Sequence, residues 1–298
     1  MDRTTPIKYV AFAASLVIGL HVMTSALSYR PAAATIVHKM EPTTSIGTTS
    51  GLSFLNALQL PPICQRVIIN VGSNRDPPIS QDTNTCTIAV EPILKTASLI
   101  KPHPRLWVIP VAVSDTIGFA KMNVYNKLGS SSSLAQANDK LEWSKSWAHA
   151  PEDYQQINFV PVIPLSLLLE SIPAHIEIVF LKTDMQSYDL RAVKSAGAAL
   201  KRCHSIYSEV YCHGFQTYAA ADNDMANFEQ LLPLQGFTTI TNPCQGTPKE
   251  SNAHWVRSDK IGQPQYATNV PSFTQRSGEG WSEGGTLDSG SDACRQVK

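Results

Sequence analysis

Residues 67–78 read VIINVGSNRDPP, and this stretch decides the fold. A run of mainly β-branched apolar residues ends at Gly72 and gives way to polar residues and two prolines. Such a run is typical of a strand that is buried on both faces of a parallel sheet. A glycine directly after the strand allows a sharp turn at the carboxyl edge of the sheet, where open α/β sheets bind ligands. The stretch therefore predicts a first strand, Arg66–Val71, that ends at a binding site.

Further apolar runs predict buried strands, and amphipathic segments predict helices between them. The strands are expected at residues 87–90, 106–113, 176–182, 204–211 and 237–241. The helices are expected at residues 93–100, 188–202 and 223–232. Strands that alternate with helices form crossover units, and these units build a doubly wound, mostly parallel sheet. The fold class is therefore expected to be α/β.

The N-terminus has a different character. Residues 9–27 are apolar and carry no formal charge, with Lys8 before them and Arg30 after them. This length is near the lower limit for a membrane-spanning helix, so residues 1–30 predict a membrane anchor. A signal peptide that is cleaved near Ala26 is the alternative. In the first case the body would enter the lumen of the secretory pathway as part of a single-pass membrane protein, and in the second it would be secreted.

Composition divides the rest of the chain into three parts. Residues 31–60 are rich in Thr, Ser, Ala and Pro and predict a stem, whereas residues 61–262 hold the strand and helix patterns of one folded domain. Residues 263–298 are rich in Ser and Gly and predict a disordered tail. The formal net charge is zero, so nothing indicates a nucleic-acid partner, and the cysteine spacing does not predict a metal site.

Glu91 follows the second expected strand, about twenty residues beyond the glycine turn. An acidic side chain at this distance receives the ribose hydroxyls of a bound nucleoside, because a carboxylate accepts hydrogen bonds from both hydroxyls of a diol. A dinucleotide-binding loop needs further glycines, whereas this chain has Asn74 and Asp76. An aspartate repels a pyrophosphate and suits a cationic ligand such as a sulfonium. The loop therefore favours S-adenosylmethionine over NAD.

Six segments, in this order, resemble the FkbM-type methyltransferases. They are VIINVGSN (67–74), AVEP (89–92), IPVAVSDTIGFAKMNVY (109–125), VPVIPLSLLLE (160–170), IVFLKTDMQSYDLRAVKSAGAAL (178–200) and IYSEVY (206–211). Members of this family are class I enzymes that depend on S-adenosylmethionine and typically methylate hydroxyl groups. The resemblance implies the class I methyltransferase fold: a Rossmann-like, doubly wound, mostly parallel sheet with an antiparallel edge strand, here preceded by an N-terminal hydrophobic helix.

The resemblance also implies which residues bind the cofactor. Asn70 stands where the family usually has Asp, and it keeps a carbonyl oxygen for the ammonium group of the cofactor. Asp115 either contacts the adenine amino group or starts a turn. The expected cofactor-binding residues are Asn70, Gly72, Asn74, Glu91 and Asp115.

Methylation of a hydroxyl needs in-line placement of the reacting atoms and a group that takes up the proton. Asp184 follows the strand expected at 176–182, and Glu209 and His213 lie toward the end of the strand expected at 204–211. These three residues are the candidate catalytic bases, with Glu209 favoured. His213 is also consistent with an ordinary surface position. The acceptor would be a hydroxyl group of a small molecule or a glycan.

Two alternative functions stay open. Asn70 and Ser187, where the family usually has Asp and Gly, are compatible with a non-catalytic domain that binds a nucleoside or a protein. An anchored glycan-modifying transferase would need a metal-binding Asp-x-Asp, and residues 222–224 read DND. These residues open an expected helix and are better explained as its N-cap.

Cysteine positions bear on the compartment. Cys64 and Cys86 each precede a strand, and in this fold the two strands are parallel neighbours, so a disulfide between them is feasible in an oxidising lumen. Cys203 and Cys212 lie at opposite ends of one strand, and that separation is too long for a disulfide.

Overall fold

The structure, a computed structural model, describes residues 58–125, 129–138, 156–219, 222–246, 249–263 and 273–274. The expected anchor (residues 1–30), nearly all of the expected stem and most of the expected tail lie outside these residues. Within the described part of the chain, no helix combines the length and the apolar character that crossing a membrane requires.

The described residues form short strands, with α-helices between some of them. The strands are β1 (Arg66–Val71), β2 (Ile79–Ser80), β3 (Thr85–Val90), β4 (Leu106–Ile109), β5 (Ala112–Ser114), β6 (Gly118–Val124), β7 (Gln156–Pro164), β8 (Glu177–Thr183), β9 (Ser205–Tyr211), β10 (Phe237–Thr241), β11 (Glu250–Arg257) and β12 (Phe273–Thr274). The α-helices are α1 (Leu94–Ala97), α2 (Leu165–Ser171), α3 (Asp189–Ser195) and α4 (Met225–Leu231). Short 3-10 helices lie at Gly197–Arg202, Pro233–Gln235, Pro243–Gln245 and Ser258–Lys260.

Seven strands form the main sheet in the order β4-β3-β1-β8-β9-β11-β10. β1 pairs in parallel with both β3 and β8, and β8 pairs in parallel with β9. β1 and β3 are buried over almost their whole length because apolar residues fill both of their faces. After β1 the chain adds β3 and β4 on one side of it and later β8 and β9 on the other side. A crevice is therefore expected where the strand order reverses, at the carboxyl ends of β1, β3 and β8. The expected mostly parallel α/β sheet is confirmed.

The expected position of the antiparallel strand at the edge of the sheet is wrong. β11 is the antiparallel strand, and it lies between β9 and β10, so the edge strand is β10. The chain passes through α4 from β9 to β10 and skips one strand position. The short connection after β10 then returns β11 into that gap in the opposite direction.

A second, three-stranded sheet is inserted between β4 and β8. β7 lies at its centre, parallel to β5 and antiparallel to β6. The sequence predicted one strand over residues 106–113, but the structure divides it into β4 and β5. Pro110 lies at the division, where its missing N–H cannot contribute to a strand ladder. One face of the small sheet packs on Ile93, next to the end of β3.

The expected tail is not wholly without structure. Phe273–Thr274 pairs with β2 as a two-residue antiparallel strand. Apart from these two residues and Gln263, the expected tail lies outside the described residues. The two partner strands are far apart in sequence, so local composition gave no sign of the pairing.

Two disulfides stabilise the main sheet, one at the amino ends of its strands and one at a carboxyl end. Cys64–Cys86 joins the segment before β1 to the start of β3, with Cα atoms 5.4 Å apart, as the sequence allowed. Cys212–Cys244 joins the end of β9 to the β10–β11 connection, with Cα atoms 5.3 Å apart. Cys203 is a buried thiol. The second pairing was missed because it depends on where β11 lies.

Candidate functional site

The turn after β1 is tied to the end of β3. Gly72 has a φ of +75°, in the left-handed region that favours glycine. The N–H groups of Gly72 and Ser73 donate to the carbonyl of Val90 at 3.0 and 3.1 Å. A Cβ at Gly72 would lie 1.9 Å from the backbone carbonyl oxygen of Asp184. Glycine is required here because the backbone after β8 passes so close, a reason that the sequence did not reveal.

Glu91, at the end of β3, faces the same turn. Its side chain is buried, with Oε2 accepting the N–H of Asn74 at 2.9 Å and Oε1 accepting the N–H of Ile93 at 3.0 Å. Burial raises the pKa of Glu91 to about 7, although the two hydrogen bonds act in the opposite direction. Each carboxylate oxygen has a second lone pair, so the group keeps the capacity to accept hydrogen bonds from a diol.

A cavity opens between these elements. Its walls include Gly72, Glu91 and Asp184 from the ends of β1, β3 and β8. The small sheet contributes Met122, and the segment after β6 contributes Ser132. The position of the cavity is the one expected for a ligand in this sheet topology.

Two buried amide oxygens at this edge have no hydrogen-bond partner among the residues that the structure describes. They are Oδ1 of Asn70, which is 3% exposed and absent from the described cavity lining, and Oδ1 of Asn74, which belongs to that lining. A buried acceptor without a partner is costly, and a ligand that donates hydrogen bonds removes this cost. The described cavity lining includes the carboxyl groups of Glu91 and Asp184 and no Lys, Arg or His side chain. These groups fit a ligand that has a diol and a positive charge.

Asp184 lies directly after β8 and lines the cavity with a side chain that is 34% exposed. Its Oδ2 accepts a hydrogen bond from Nζ of Lys182 at 2.8 Å. Burial alone would raise the pKa of Asp184, but the charge of Lys182 and the hydrogen bonds from Lys182 and Gln186 hold it below its usual value. Asp184 is therefore an ionised carboxylate at neutral pH.

Gln186 was not among the expected site residues, although it lines the cavity two positions after Asp184. Its Nε2 lies 3.2 Å from Oδ1 of Asp184 and 3.2 Å from Oε2 of Glu209. The signal in the sequence was a side-chain amide in the loop directly after a buried strand. Polar residues in such loops face the ligand edge of the sheet.

Glu209 lies on β9 behind Gln186 and is absent from the described cavity lining. Burial, together with the charges of Asp184, Glu250 and Asp189, raises the pKa of Glu209 well above its usual value. Such an environment disfavours the ionised form of the Glu209 carboxyl group. The sequence favoured Glu209 among the candidate catalytic residues, whereas of these two carboxyl groups only that of Asp184 belongs to the described cavity lining.

His213 and Asp115 are also absent from the described lining. His213 is exposed, and its Nε2 lies 2.9 Å from the carbonyl oxygen of Gly246 in the β10–β11 connection. The Cys212–Cys244 disulfide joins the same connection to the loop after β9. Asp115 is exposed in the bend between β5 and β6, where it accepts a hydrogen bond from the hydroxyl of Ser114 at 3.1 Å. This placement agrees with the turn that the sequence left open for Asp115.

The DND sequence is part of a helix start. Oδ1 of Asp224 accepts the N–H of Ala226 at 2.9 Å, so the expected N-cap of α4 is confirmed. Asp222 pairs with Arg191 and Lys194 at 3.5 and 3.6 Å. Where the structure describes the chain, it brings no three His, Cys, Asp or Glu side chains together in a way that could hold a metal ion.

Comparison with known families finds a match over the middle of the chain. The model of the methyltransferase FkbM domain matches residues 70–238, which is more than half of the chain and includes the ends of β1, β3, β8 and β9. A search of the curated proteins finds no match.

Proposed function

The chain belongs to the FkbM methyltransferase domain family, and on that premise we propose that it methylates a hydroxyl oxygen of a carbohydrate or another small metabolite, using S-adenosylmethionine. One observation carries the proposal. Glu91, Asp184 and the unpartnered oxygen of Asn74 converge on a single cavity at the carboxyl edge of the sheet. Glu91 would bind a diol, whereas Asp184 is a separate, ionised carboxylate. This arrangement suits a ligand that is bound through one part and reacts at another.

The described residues fit S-adenosylmethionine. Glu91 would accept hydrogen bonds from the ribose hydroxyls, and the amide oxygen of Asn74 would accept one from the ammonium group of the cofactor. The apolar residues Val111 and Val113 on the wall formed by the small sheet would cover the adenine. When bound, the cofactor supplies an electrophilic methyl group on a positively charged sulfur.

Asp184 would act as the proton acceptor of the reaction. Its carboxylate is ionised, lines the cavity and has spare acceptor capacity for the hydroxyl group of the acceptor. A carboxylate with a low pKa is a weak base toward an alcohol. It is sufficient here, because the proton on the acceptor oxygen becomes strongly acidic as that oxygen gains a methyl group. The main contribution of the site is therefore positioning, with proton acceptance by Asp184 as a second contribution.

We further propose that the body works in the lumen of the secretory pathway, held there by an anchor in residues 1–30, or outside the cell after signal cleavage. Two observations support this location. Residues 9–27 are apolar and without formal charge, and the described domain contains the disulfides Cys64–Cys86 and Cys212–Cys244. Disulfides of this kind persist in oxidising compartments. Carbohydrate hydroxyls are common acceptors in such compartments.

Calorimetry with S-adenosylmethionine and its product S-adenosylhomocysteine tests the proposal. We expect the wild-type protein to bind both. Glu91→Gln should weaken binding at least about tenfold, because a hydrogen bond to a charged group is worth about 1.5–3 kcal/mol. Glu177→Gln, at an exposed glutamate outside the described cavity lining, is the matched control and should bind as the wild type. The absence of binding by the wild-type protein would overturn the proposal and favour a non-catalytic domain.

The acceptor is then sought by following S-adenosylhomocysteine release with a panel of neutral monosaccharides, oligosaccharides and small alcohols. Turnover with one of them, and its loss on replacement of Asp184, would define the acceptor. Binding of the cofactor without turnover on any class of hydroxyl would contradict the proposed reaction but not the cofactor.

A further inference from the structure

The loop between β8 and α3 holds an unusual backbone. Gln186 has a φ of +53° and Ser187 a φ of +83°, so two consecutive residues other than glycine adopt the left-handed region. Each such residue costs about 1–2 kcal/mol and persists only where its surroundings hold it. The hydroxyl of Ser133 donates to the Gln186 carbonyl at 2.6 Å, and Asp189 accepts the N–H of Met185 at 3.1 Å. The loop is therefore fixed from both sides in a strained form.

This backbone directs the Gln186 side chain into a complete set of contacts. Its Nε2 lies 3.2 Å from both Asp184 Oδ1 and Glu209 Oε2. Its Oε1 lies 3.0 Å from the hydroxyl oxygen of Tyr218, which shares its single proton between Gln186 and the carbonyl of Ser131 at 2.7 Å. A carboxamide has two N–H donors on its nitrogen and one carbonyl oxygen. Every part of the amide is thus engaged, although the residue lies on the wall of the cavity.

The amide group separates two carboxyl groups that differ in charge. Asp184 is ionised and faces the cavity, whereas Glu209 is buried behind it. Two carboxyl groups without a donor between them repel each other or share a proton. Gln186 donates to both, and Lys182 binds the other oxygen of Asp184 at 2.8 Å. Asp184 therefore has one donor on each oxygen, which fixes the plane of its carboxylate.

We propose that Gln186 is a positioning residue for methyl transfer: its amide fixes the Asp184 carboxylate toward the acceptor hydroxyl and keeps it apart from Glu209. This inference rests on the proposed function, in which Asp184 takes up the proton of the acceptor. Gln186 itself neither gives nor takes a proton. The strained loop conformation is maintained because it places the amide between the two carboxyl groups.

The test uses Gln186→Met, which keeps the length of the side chain and removes its N–H donors. Gln186→Asn keeps the amide at a shorter reach, and Gln81→Met, at an exposed position, is the matched control. Thermal unfolding shows which variants fold. Titration of ¹³C-labelled aspartate by NMR then follows Asp184, whose signal is identified by its loss in Asp184→Asn.

We expect the pKa of Asp184 to rise in Gln186→Met, because a hydrogen bond to its ionised form is lost. The other groups that face Asp184 are Lys182 on β8, Asp189 on α3, Tyr207 and Glu209 on β9, and Glu250 on β11. All of them are retained, so a change in the titration reports on Gln186. An unchanged titration in Gln186→Met would overturn the inference, as would an identical shift in Gln81→Met.

Kinetics separates positioning from a merely structural role. With the acceptor found in the panel, kcat of Gln186→Met should fall about tenfold or more, while KM for S-adenosylmethionine stays within about threefold. Gln186→Asn should recover part of kcat. A shifted titration with an unchanged kcat would overturn the positioning role. If the wild-type protein binds no cofactor, the proposed function fails, but the titration still decides whether Gln186 holds Asp184.

Discussion

The two sides of the cavity are built in different ways. At the ends of β1 and β3, backbone N–H groups converge on one carboxyl group, that of Glu91. At the ends of β8 and β9, side chains bind side chains, and Gln186 links Asp184 to Glu209. The first side needs only a glycine turn and an acidic residue on adjoining strands. The second needs several side chains from separate elements in one arrangement.

This difference suggests a division of work. The β1–β3 side offers acceptors for a diol and an ammonium group, which are features of the cofactor. The β8–β9 side offers an ionised carboxylate whose orientation is controlled, which is what a reacting hydroxyl needs. Substitutions on the first side should therefore affect cofactor binding, and those on the second side should affect turnover.

Gly72→Ala should have the largest effect, because it acts where the two sides meet. A Cβ would strike the Asp184 carbonyl at 1.9 Å in a backbone conformation that already disfavours alanine. We expect a loss of about 4 kcal/mol or more in the free energy of unfolding, measured by urea denaturation. Gly214→Ala is the control: its φ of +72° is similar but its Cβ would meet nothing within 4 Å, so it should cost only about 1 kcal/mol. Equal losses of unfolding free energy in the two variants would show that the backbone after β8 does not pass close to Gly72.

Removal of either disulfide should lower the stability of the protein, but only one of the two removals should lower turnover. Replacing Cys64 and Cys86 by Ala, or Cys212 and Cys244 by Ala, should each cost about 3 kcal/mol in the free energy of unfolding. Cys64–Cys86 lies at the amino ends of β1 and β3, so its removal should leave cofactor affinity and turnover unchanged. Cys212–Cys244 lies at the carboxyl end of β9, so its removal should also lower turnover. Equal effects on turnover would contradict this assignment.

Asp184→Asn tests the second side alone. We expect turnover to fall about a hundredfold, because a neutral amide cannot take up the proton, while affinity for S-adenosylhomocysteine changes less than about threefold. Thermal unfolding monitors the effect on Lys182, which loses its charged partner. Asp115→Asn, at the exposed turn outside the described lining, should change neither quantity. A large loss of cofactor affinity in Asp184→Asn would remove the division between the two sides.

The pH dependence of binding tests the first side with a smaller effect. Burial raises the pKa of Glu91 to about 7, and a diol binds better to the ionised carboxylate. Affinity for S-adenosylhomocysteine should therefore increase up to about tenfold between about pH 6 and about pH 8 in calorimetry.

In the protein without ligand, the raised pKa of Glu91 means that the folded state holds more protons than the unfolded state. This group therefore lowers stability as pH rises toward 7. In Glu91→Gln, both trends should become weaker.

The sequence was most informative where the structure is local. β1, its end at Gly72 and the position of Glu91 could be predicted because β1 and β3 are neighbours in both sequence and space. Asp184 was also found, since a charged residue directly after a buried apolar run must lie at the edge of the sheet. Each of these predictions needs one strand end and no knowledge of distant pairing.

The β8–β9 side could be predicted only in part. Gln186, which contacts Glu209, lies in a loop with a left-handed backbone, and no residue pattern predicted that backbone. The position of β11 between β9 and β10 determines the Cys212–Cys244 pairing and the surroundings of His213. Long-range strand order of this kind follows from the packing of the whole sheet, which local composition does not reveal.

A crystal structure with bound S-adenosylhomocysteine gives the most direct test of the cavity itself. We expect both ribose hydroxyls within hydrogen-bonding distance of the Glu91 carboxylate, the amino group near Asn70 or Asn74, and the sulfur facing the Asp184 side. An adenosine bound away from the turn at Gly72, or a cavity that stays closed to the ligand, would contradict the proposed site and the methyltransferase activity derived from it.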